Sequence, residues 1–234
     1  MAGANVKKSI LFEVLVLWLV TNLLIRGVIF LHEGLGVHEA VLVLVPLAFM
    51  YGPVWVCNLR KADVETYPIS LPSFRDGKTW KRAFKSNFVV MGIITGPFFV
   101  GYHLWHTKIL GNAWTGNWPE DLWLIIGYHL FFVAIPEEFF YRGYLQTRLD
   151  ELWSPRWRVF GAKVGVGLVV TCLIFAFGHS IVRFQTWHIW IFFPSLVFGW
   201  MRASTGDVMA GAFFHAWCNI TVTILDSLYG VSVQ

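Results

Sequence analysis

Three short motifs place polar and ionisable side chains within otherwise apolar stretches of the chain. The six residues are Glu137, Glu138, Arg142, His179, His215 and Asn219. A carboxylate beside an imidazole can activate water as a general base, and imidazole and amide N–H groups can stabilise an oxyanion. Charged groups inside a bilayer are costly and tend to mark functional positions. The motifs therefore predict a buried site for hydrolysis or for proton transfer.

Helical spacing separates the roles of the two glutamates. Glu138 and Arg142 are four residues apart with the acid first, which is the favourable direction for an ion pair. Successive helical residues point about 100° apart, so Glu137 must face elsewhere. Pro136 favours a restarted first turn, which would place both carboxylates near a positive helix end. We expect Glu138 to be in an ion pair and Glu137 to be free for chemistry. A charge cluster that only fixes helix packing is the alternative.

The histidine motifs allow two interpretations each. His215 and Asn219 are also four residues apart, so both can donate hydrogen bonds towards one point. In lipid, the same pair could instead bond a neighbouring helix. His179 ends an apolar stretch, where a lone histidine is usually structural. The spacing leaves these alternatives open.

The composition predicts the environment of these motifs. The chain has 234 residues, of which 56% are hydrophobic and only 14% charged, and its mean hydropathy is +0.60. Soluble domains have roughly 25% charged residues, so a soluble globule is disfavoured and disorder is excluded. The net charge of +4 comes from cations that fall between apolar runs, which argues against a nucleic-acid partner. Three cysteines do not make a disulfide framework.

Seven apolar stretches approach the roughly 20 residues that a transmembrane helix needs. They are residues 10–31, 40–57, 87–105, 121–147, 164–181, 187–203 and 207–228. The prediction is an all-α, polytopic transmembrane bundle of about seven helices, or eight if one stretch is split. Residues 1–234 form a single integral membrane domain, and the first stretch is a retained helix, not a cleaved signal peptide.

The distribution of lysine and arginine predicts the orientation. The connections at 58–86 and 148–163 are rich in basic residues, whereas the alternate connections are poor in them. The positive-inside rule then places the N-terminus in the cytoplasm and the C-terminus outside. Glu13 and Arg26 lie about 20 Å apart along the first helix, too far to pair with each other. We expect each to contact another helix or to reach the interface.

Depth in the membrane tests whether the motifs can meet. At 1.5 Å per residue, Glu137, His179 and His215 lie roughly 20, 24 and 12 Å from the predicted cytoplasmic side. Helix tilt and kinks can absorb differences of this size. We expect the three side chains to converge in a pocket within the membrane that opens to the cytoplasm.

The ordered motifs resemble the CAAX protease and bacteriocin-processing family, also called Abi proteins. Its pattern is a Glu-Glu pair with arginine four residues later, then Phe-x-x-x-His, then His-x-x-x-Asn or Asp. This chain carries all three elements in that order between residues 137 and 219, with Phe175 preceding His179. The resemblance implies a glutamate-dependent intramembrane endopeptidase. We expect no cofactor, and a zinc-dependent version of the protease is the alternative.

The resemblance also implies residue roles and a substrate class. Glu137 would be the general base and would hold a water with His179. His215 and Asn219 would form the oxyanion hole, and Glu138 and Arg142 would support the site. The substrate would be a membrane-anchored protein or peptide in the lipid bilayer. The short chain is typical of a prokaryotic inner or plasma membrane protein, which favours peptide or anchored-protein substrates over prenylated ones.

Three alternatives remain on the sequence alone. Glutamate and two histidines are legitimate zinc ligands, although the His-Glu-x-x-His spacing of many zinc proteases is absent. A scaffold without activity is the second, and a transporter with a protonatable relay is the third. The sequence does not predict the oligomeric state.

Overall fold

Helices account for most of residues 2–67 and 77–231, which are the residues that this computed structural model describes. Seven main helices can be drawn within those residues. They are α1 (Ala2–Ile29), α2 (Leu44–Arg60), α3 (Gly77–Leu104), α4 (Leu122–Leu152), α5 (Val166–Arg183), α6 (Phe192–Thr205) and α7 (Met209–Leu228). Short π turns extend α1 and α3, at Phe30–Gly34 and Trp105–Ile109. Three 3₁₀ turns lie in the connections, at Glu39–Val43, Val64–Thr66 and Thr186–Ile191.

The all-α membrane architecture is confirmed. Five helices of the described residues are long and apolar enough to cross a membrane. They are Val6–Gly34, Glu39–Arg60, Trp80–Ile109, Leu122–Leu152 and Val166–Arg183. The sixth predicted stretch is a 3₁₀ turn followed by α6, whose 14 residues are short for a full span. Helix α7 has 20 residues but carries polar side chains along one face. The count of seven spans therefore stays a prediction.

A short β-hairpin lies in the connection between α4 and α5, where the sequence predicts only a basic loop. Strands β1 (Trp157–Val159) and β2 (Ala162–Val164) pair antiparallel. The two turn residues Phe160 and Gly161 both have positive φ, 46° and 85°. That conformation defines the tight hairpin turn whose twist matches the strands, and glycine adopts it easily. The hairpin is the only β-structure among the described residues.

Helix α4 passes through Pro136 without a break. Its α-helical turn Ile135–Glu138 lies between two π-helical segments, Tyr128–Ala134 and Phe139–Leu145. Proline lacks an N–H and clashes with the carbonyl four residues earlier, and wider turns accommodate both effects. Proline therefore starts a short α turn as predicted, but this turn lies inside a continuous helix and is not a free helix end.

The packing puts α4 at the centre of the molecule. Helices α1 and α2 pack on one side of it, α5 and α6 pack near its C-terminal half, and α7 packs against its first π segment. Its second π segment is almost completely buried, including Phe140, Tyr141 and Tyr144. Helix α3 lies at the edge, where Phe88 and Ile93 are exposed. Any residue on the buried face of α4 therefore meets several other helices.

Glu13 and Arg26 of α1 are both held by other helices, which confirms the expectation that each contacts another helix. Glu13 accepts hydrogen bonds from the Arg148 Nε at 2.8 Å and from the Tyr144 hydroxyl at 2.6 Å. Arg60 Nε lies 3.3 Å from the same carboxylate. Arg26 donates to the carbonyl of Val182 at 3.3 Å. The Glu13 cluster thus joins α1, α2 and α4.

Replacing Glu13 with alanine should lower the free energy of unfolding by about 3 kcal/mol, because it leaves the buried Arg148 without its main partner. The Glu33–Arg183 pair is the matched control, since both of its side chains are about half exposed. Glu33→Ala should change stability by less than about 1 kcal/mol. Unfolding curves of both variants in the same detergent would measure the difference. Equal losses would contradict a structural role for the Glu13 cluster.

Candidate active site

One carboxylate oxygen lies between two imidazoles at the centre of the molecule. Glu137 Oε2 is 3.7 Å from His179 Nε2 and 3.8 Å from His215 Nε2. The three residues come from α4, α5 and α7. Glu137 is only 8% exposed, and its Oε2 makes no hydrogen bond to another described residue. The residues that the depth argument predicts to converge therefore do lie together.

The His179 ring is held by its own helix. Its Nδ1 lies 3.0 Å from the carbonyl oxygen of Phe175, one turn earlier in α5. A carbonyl oxygen can only accept, so Nδ1 carries the proton and donates. In the neutral ring, the Nε2 that faces Glu137 is then an acceptor. His179 has the most accessible side chain of the three residues, at 27%.

The His215 ring is held by Glu138 and by an aromatic neighbour. Its Nδ1 is 3.0 Å from Glu138 Oε1, and its ring stacks on Phe198 of α6 at 4.7 Å between centroids. The side chain is only 5% exposed. These contacts fix the ring plane, so that the opposite nitrogen, Nε2, faces Glu137.

The ion pair predicted from the spacing is present and completely buried. Arg142 Nη1 donates to Glu138 Oε1 at 2.9 Å, and neither side chain is exposed. Arg142 Nη2 also donates to the hydroxyl of Ser195 at 2.6 Å and to its carbonyl at 3.1 Å. The guanidinium lies over the Phe175 ring at 4.4 Å. Arg142 therefore links α4 to α5 and α6, and its partner Glu138 reaches α7.

A glycine allows this close approach of α7. A Cβ atom at Gly211 would lie 3.0 Å from Glu138 Oε2 and 3.1 Å from the carbonyl oxygen of Phe198. Gly211 is one turn before His215. Neither Gly211 nor Ser195 was singled out from the sequence, and only their position inside apolar stretches could have drawn attention to them.

Asn219 is the one predicted site residue without a polar side-chain contact to the other five among the described residues. It lies one turn after His215 on α7 and is half-buried. Its side chain makes no hydrogen bond to the residues that the structure describes. The sequence allowed Asn219 either to donate towards the same point as His215 or to bond a neighbouring helix. Among residues 2–67 and 77–231, the second of these bonds is absent.

Two further histidines lie near the cluster and were not expected there. The sequence places His188 at a helix end, but its ring is perpendicular to that of His179 with centroids 6.3 Å apart. His129 Nε2 lies 3.1 Å from the Thr223 hydroxyl. His129 is eight residues before Glu137 and Thr223 eight after His215, so helical periodicity was the available signal.

Within the described part of the chain, no group of three or more histidine, cysteine, aspartate or glutamate side chains is arranged to hold a metal ion. The metal-free site predicted from the resemblance stays a prediction.

The fold and the buried cluster together define an integral membrane protein with a carboxylate–histidine site. Residues 118–221 match the family model described as type II CAAX prenyl endopeptidase, Rce1-like. The match covers just under half of the chain and includes all six motif residues, so this segment is similar to the Rce1-like family. The similarity indicates a CAAX protease, which is a class of hydrolase that sits in the membrane and acts on membrane-anchored substrates. No curated protein and no solved structure matches the chain.

Proposed function

We propose that this protein is a glutamate-dependent intramembrane endopeptidase with Glu137 as the general base. The observation that carries the proposal is the convergence of His179 Nε2 and His215 Nε2 on Glu137 Oε2. Separations of 3.7 and 3.8 Å exceed a direct hydrogen bond, and we place beside these atoms a water that hydrogen-bonds to both Glu137 and His179. The family match supports the reaction class, and the convergence of the three side chains supports the residue roles that we propose.

The first step is attack of water on the substrate carbonyl. A water between Glu137 and His179 can donate one hydrogen to the free carboxylate oxygen and the other to the lone pair on His179 Nε2. As the water oxygen bonds to the carbonyl carbon, its proton moves to Glu137. The same proton then goes to the leaving amine nitrogen as the C–N bond breaks. Glu137 returns to its starting state, and no group on the enzyme is consumed.

The second requirement is stabilisation of the oxyanion. His215 Nε2 and the free amide of Asn219 are the proposed donors, because they project from one face of α7. His215 Nδ1 already donates to Glu138, so Nε2 can donate only when the ring carries both protons. The proposal therefore requires the imidazolium form of His215 during catalysis. Glu138 supplies the carboxylate that accepts from His215 Nδ1, and Arg142 holds that carboxylate in place.

Replacing Asn219 with alanine is expected to lower kcat by about 10²-fold with little change in KM, because it removes one oxyanion donor. The side chain makes no hydrogen bond to other described residues, so stability should be unaffected. Asn58→Ala, at an exposed position of α2, is the matched control and should leave kcat unchanged. Steady-state cleavage of a peptide substrate in detergent would give both constants. A normal kcat for Asn219→Ala would remove this residue from the oxyanion hole.

Substrate and orientation also belong to the proposal. We propose a membrane-anchored protein or peptide as substrate and a prokaryotic inner or plasma membrane as location. The N-terminus would face the cytoplasm and the C-terminus the outside. Membrane proteomes from cells with the wild-type protein and with Glu137→Ala would identify substrates. New N-termini or C-termini that appear only with the wild type are expected, and identical proteomes would contradict a protease.

The same variants discriminate the alternatives. A non-catalytic scaffold predicts that Glu137→Ala and His179→Ala both retain full function when folded. A zinc-dependent version of the protease predicts loss of cleavage on strong chelation and metal in elemental analysis. A transporter predicts substrate flux across sealed vesicles without cleavage. The proposed function predicts chelation-resistant cleavage that both substitutions abolish.

A further inference from the structure

The first helix reaches the candidate active site through a polar contact on α5. Trp18 Nε1 donates to the carbonyl oxygen of Ile174 at 3.0 Å. Asn22, one turn later in α1 and only 4% exposed, donates through Nδ2 to the carbonyl oxygen of Trp18 at 2.8 Å. Both residues lie outside the segment that matches the Rce1-like family. The motifs themselves predict no polar role for this helix.

These side chains converge on the residue before His179. A Cβ atom at Gly178 would be 2.8 Å from Asn22 Oδ1, 2.9 Å from the Tyr141 hydroxyl and 3.4 Å from Trp18 Nε1. Glycine at 178 is therefore required for the approach of three polar atoms from α1 and α4. Because each atom is already at contact distance from a hypothetical methyl group, the backbone of α5 has almost no freedom to move towards them.

Two adjacent backbone carbonyls of α5 accept the hydrogen bonds from the α1 side chain and from the His179 ring. Ile174 accepts from Trp18, and Phe175 accepts from His179 Nδ1. The Phe175 ring packs edge-on against Tyr141 at 4.7 Å between centroids. Tyr141 is 1% exposed and lies one turn after Glu137 on α4. The same turn of α5 is thus fixed from outside by α1 and α4 while it holds the His179 ring.

We propose that Trp18 and Asn22 are positioning residues that set the location of His179 Nε2 relative to Glu137. The inference rests on the proposed function of His179. Neither residue touches the reacting atoms. They act through the backbone at 174 and 178, where a small shift of α5 changes the 3.7 Å separation between His179 Nε2 and Glu137 Oε2. Displacements of about 1 Å at a reacting centre can cost about 10²-fold in rate.

Trp18→Phe and Asn22→Leu test this proposal, because both remove the polar atoms while phenylalanine keeps an aromatic ring and leucine keeps the branched shape of asparagine. We expect kcat to fall by about 10- to 100-fold with KM within twofold of wild type, and the pH dependence of kcat to shift. Trp123→Phe is the matched control, since Trp123 is 83% exposed on α4. It should leave kcat, KM and the pH profile unchanged. Gly178→Ala should reproduce the kcat defect, because the added methyl group pushes α5 away from Asn22 and Tyr141.

A second readout does not depend on activity. In protein labelled with ¹³C-histidine, the His179 Cε1 resonance is assigned by its loss in His179→Gln. It should shift in Trp18→Phe and Asn22→Leu and stay in place in Trp123→Phe. An unmoved resonance, or a fall in kcat that only matches the fall in folded protein, would overturn the inference. If Glu137→Gln is fully active, the proposed function fails, whereas the resonance still reports whether α1 positions His179.

Discussion

Glu137→Gln should reduce kcat by about 10⁴-fold, because the amide keeps the shape of the side chain but cannot accept a proton from water. KM should change little, since binding of the remainder of the substrate is retained. The variant should fold at least as well as the wild type. Glu137 Oε2 is buried without a hydrogen bond to the described residues, and a neutral amide costs less to bury than a carboxylate. Activity and stability therefore separate in this variant.

Single-turnover cleavage of one substrate, measured beside thermal unfolding in the same detergent, checks this expectation. Glu33→Gln makes the identical chemical change at an exposed position and should leave both quantities unchanged. If Glu137→Gln cleaves within tenfold of the wild-type rate, Glu137 is not the base. In that case the convergence of two imidazoles on its carboxylate is a packing feature.

Replacing Arg142 with leucine should lower the free energy of unfolding by about 3–5 kcal/mol, because it leaves Glu138 as a buried carboxylate without its cation. Both side chains are completely buried, so water cannot compensate for the loss. Cleavage should be lost as well, since the carboxylate that accepts from His215 Nδ1 is no longer held. Urea or thermal unfolding and cleavage assays on the same preparation would measure the two effects.

The double variant Glu138→Leu with Arg142→Leu separates stability from catalysis. Replacing both partners of a buried pair by apolar residues is often neutral or stabilising, so most of the lost stability should return. Cleavage should remain absent, because His215 still lacks its acceptor. Arg183→Leu removes a cation from an exposed pair and should cost less than about 1 kcal/mol. Recovery of cleavage in the double variant would show that the pair serves packing alone.

The sequence predicted best what lies within a single helix. Glu138 and Arg142 pair as expected because a separation of four residues places both on one face whatever the surrounding fold. The low charge fraction and the long apolar runs predicted a helical membrane protein, because each run by itself approaches the length that a transmembrane helix needs. The ordered motifs predicted a resemblance to CAAX proteases, and the family match over residues 118–221 confirms that resemblance. The approximate depths along the helices were enough to predict that Glu137, His179 and His215 meet.

Local deviations from regular geometry were harder to predict. The π turns on both sides of Pro136 depend on how α4 packs, since proline is compatible with a kink, a restart or wider turns. The hairpin at 157–164 has only three residues in each strand, too few for a clear alternation of polar and apolar residues. Its Phe160–Gly161 turn was the available signal.

Contacts between helices were decided by the tertiary structure alone. No spacing along the chain predicts that Ser195 binds Arg142, that Phe198 stacks on His215, or that Trp18 bonds to the carbonyl of Ile174. Each such contact depends on the rotation and depth of one helix relative to another, and the packing of the whole bundle sets both quantities. Helical periodicity determines which residues share a face. Only the assembled bundle determines which faces meet, and the candidate active site lies where three of them do.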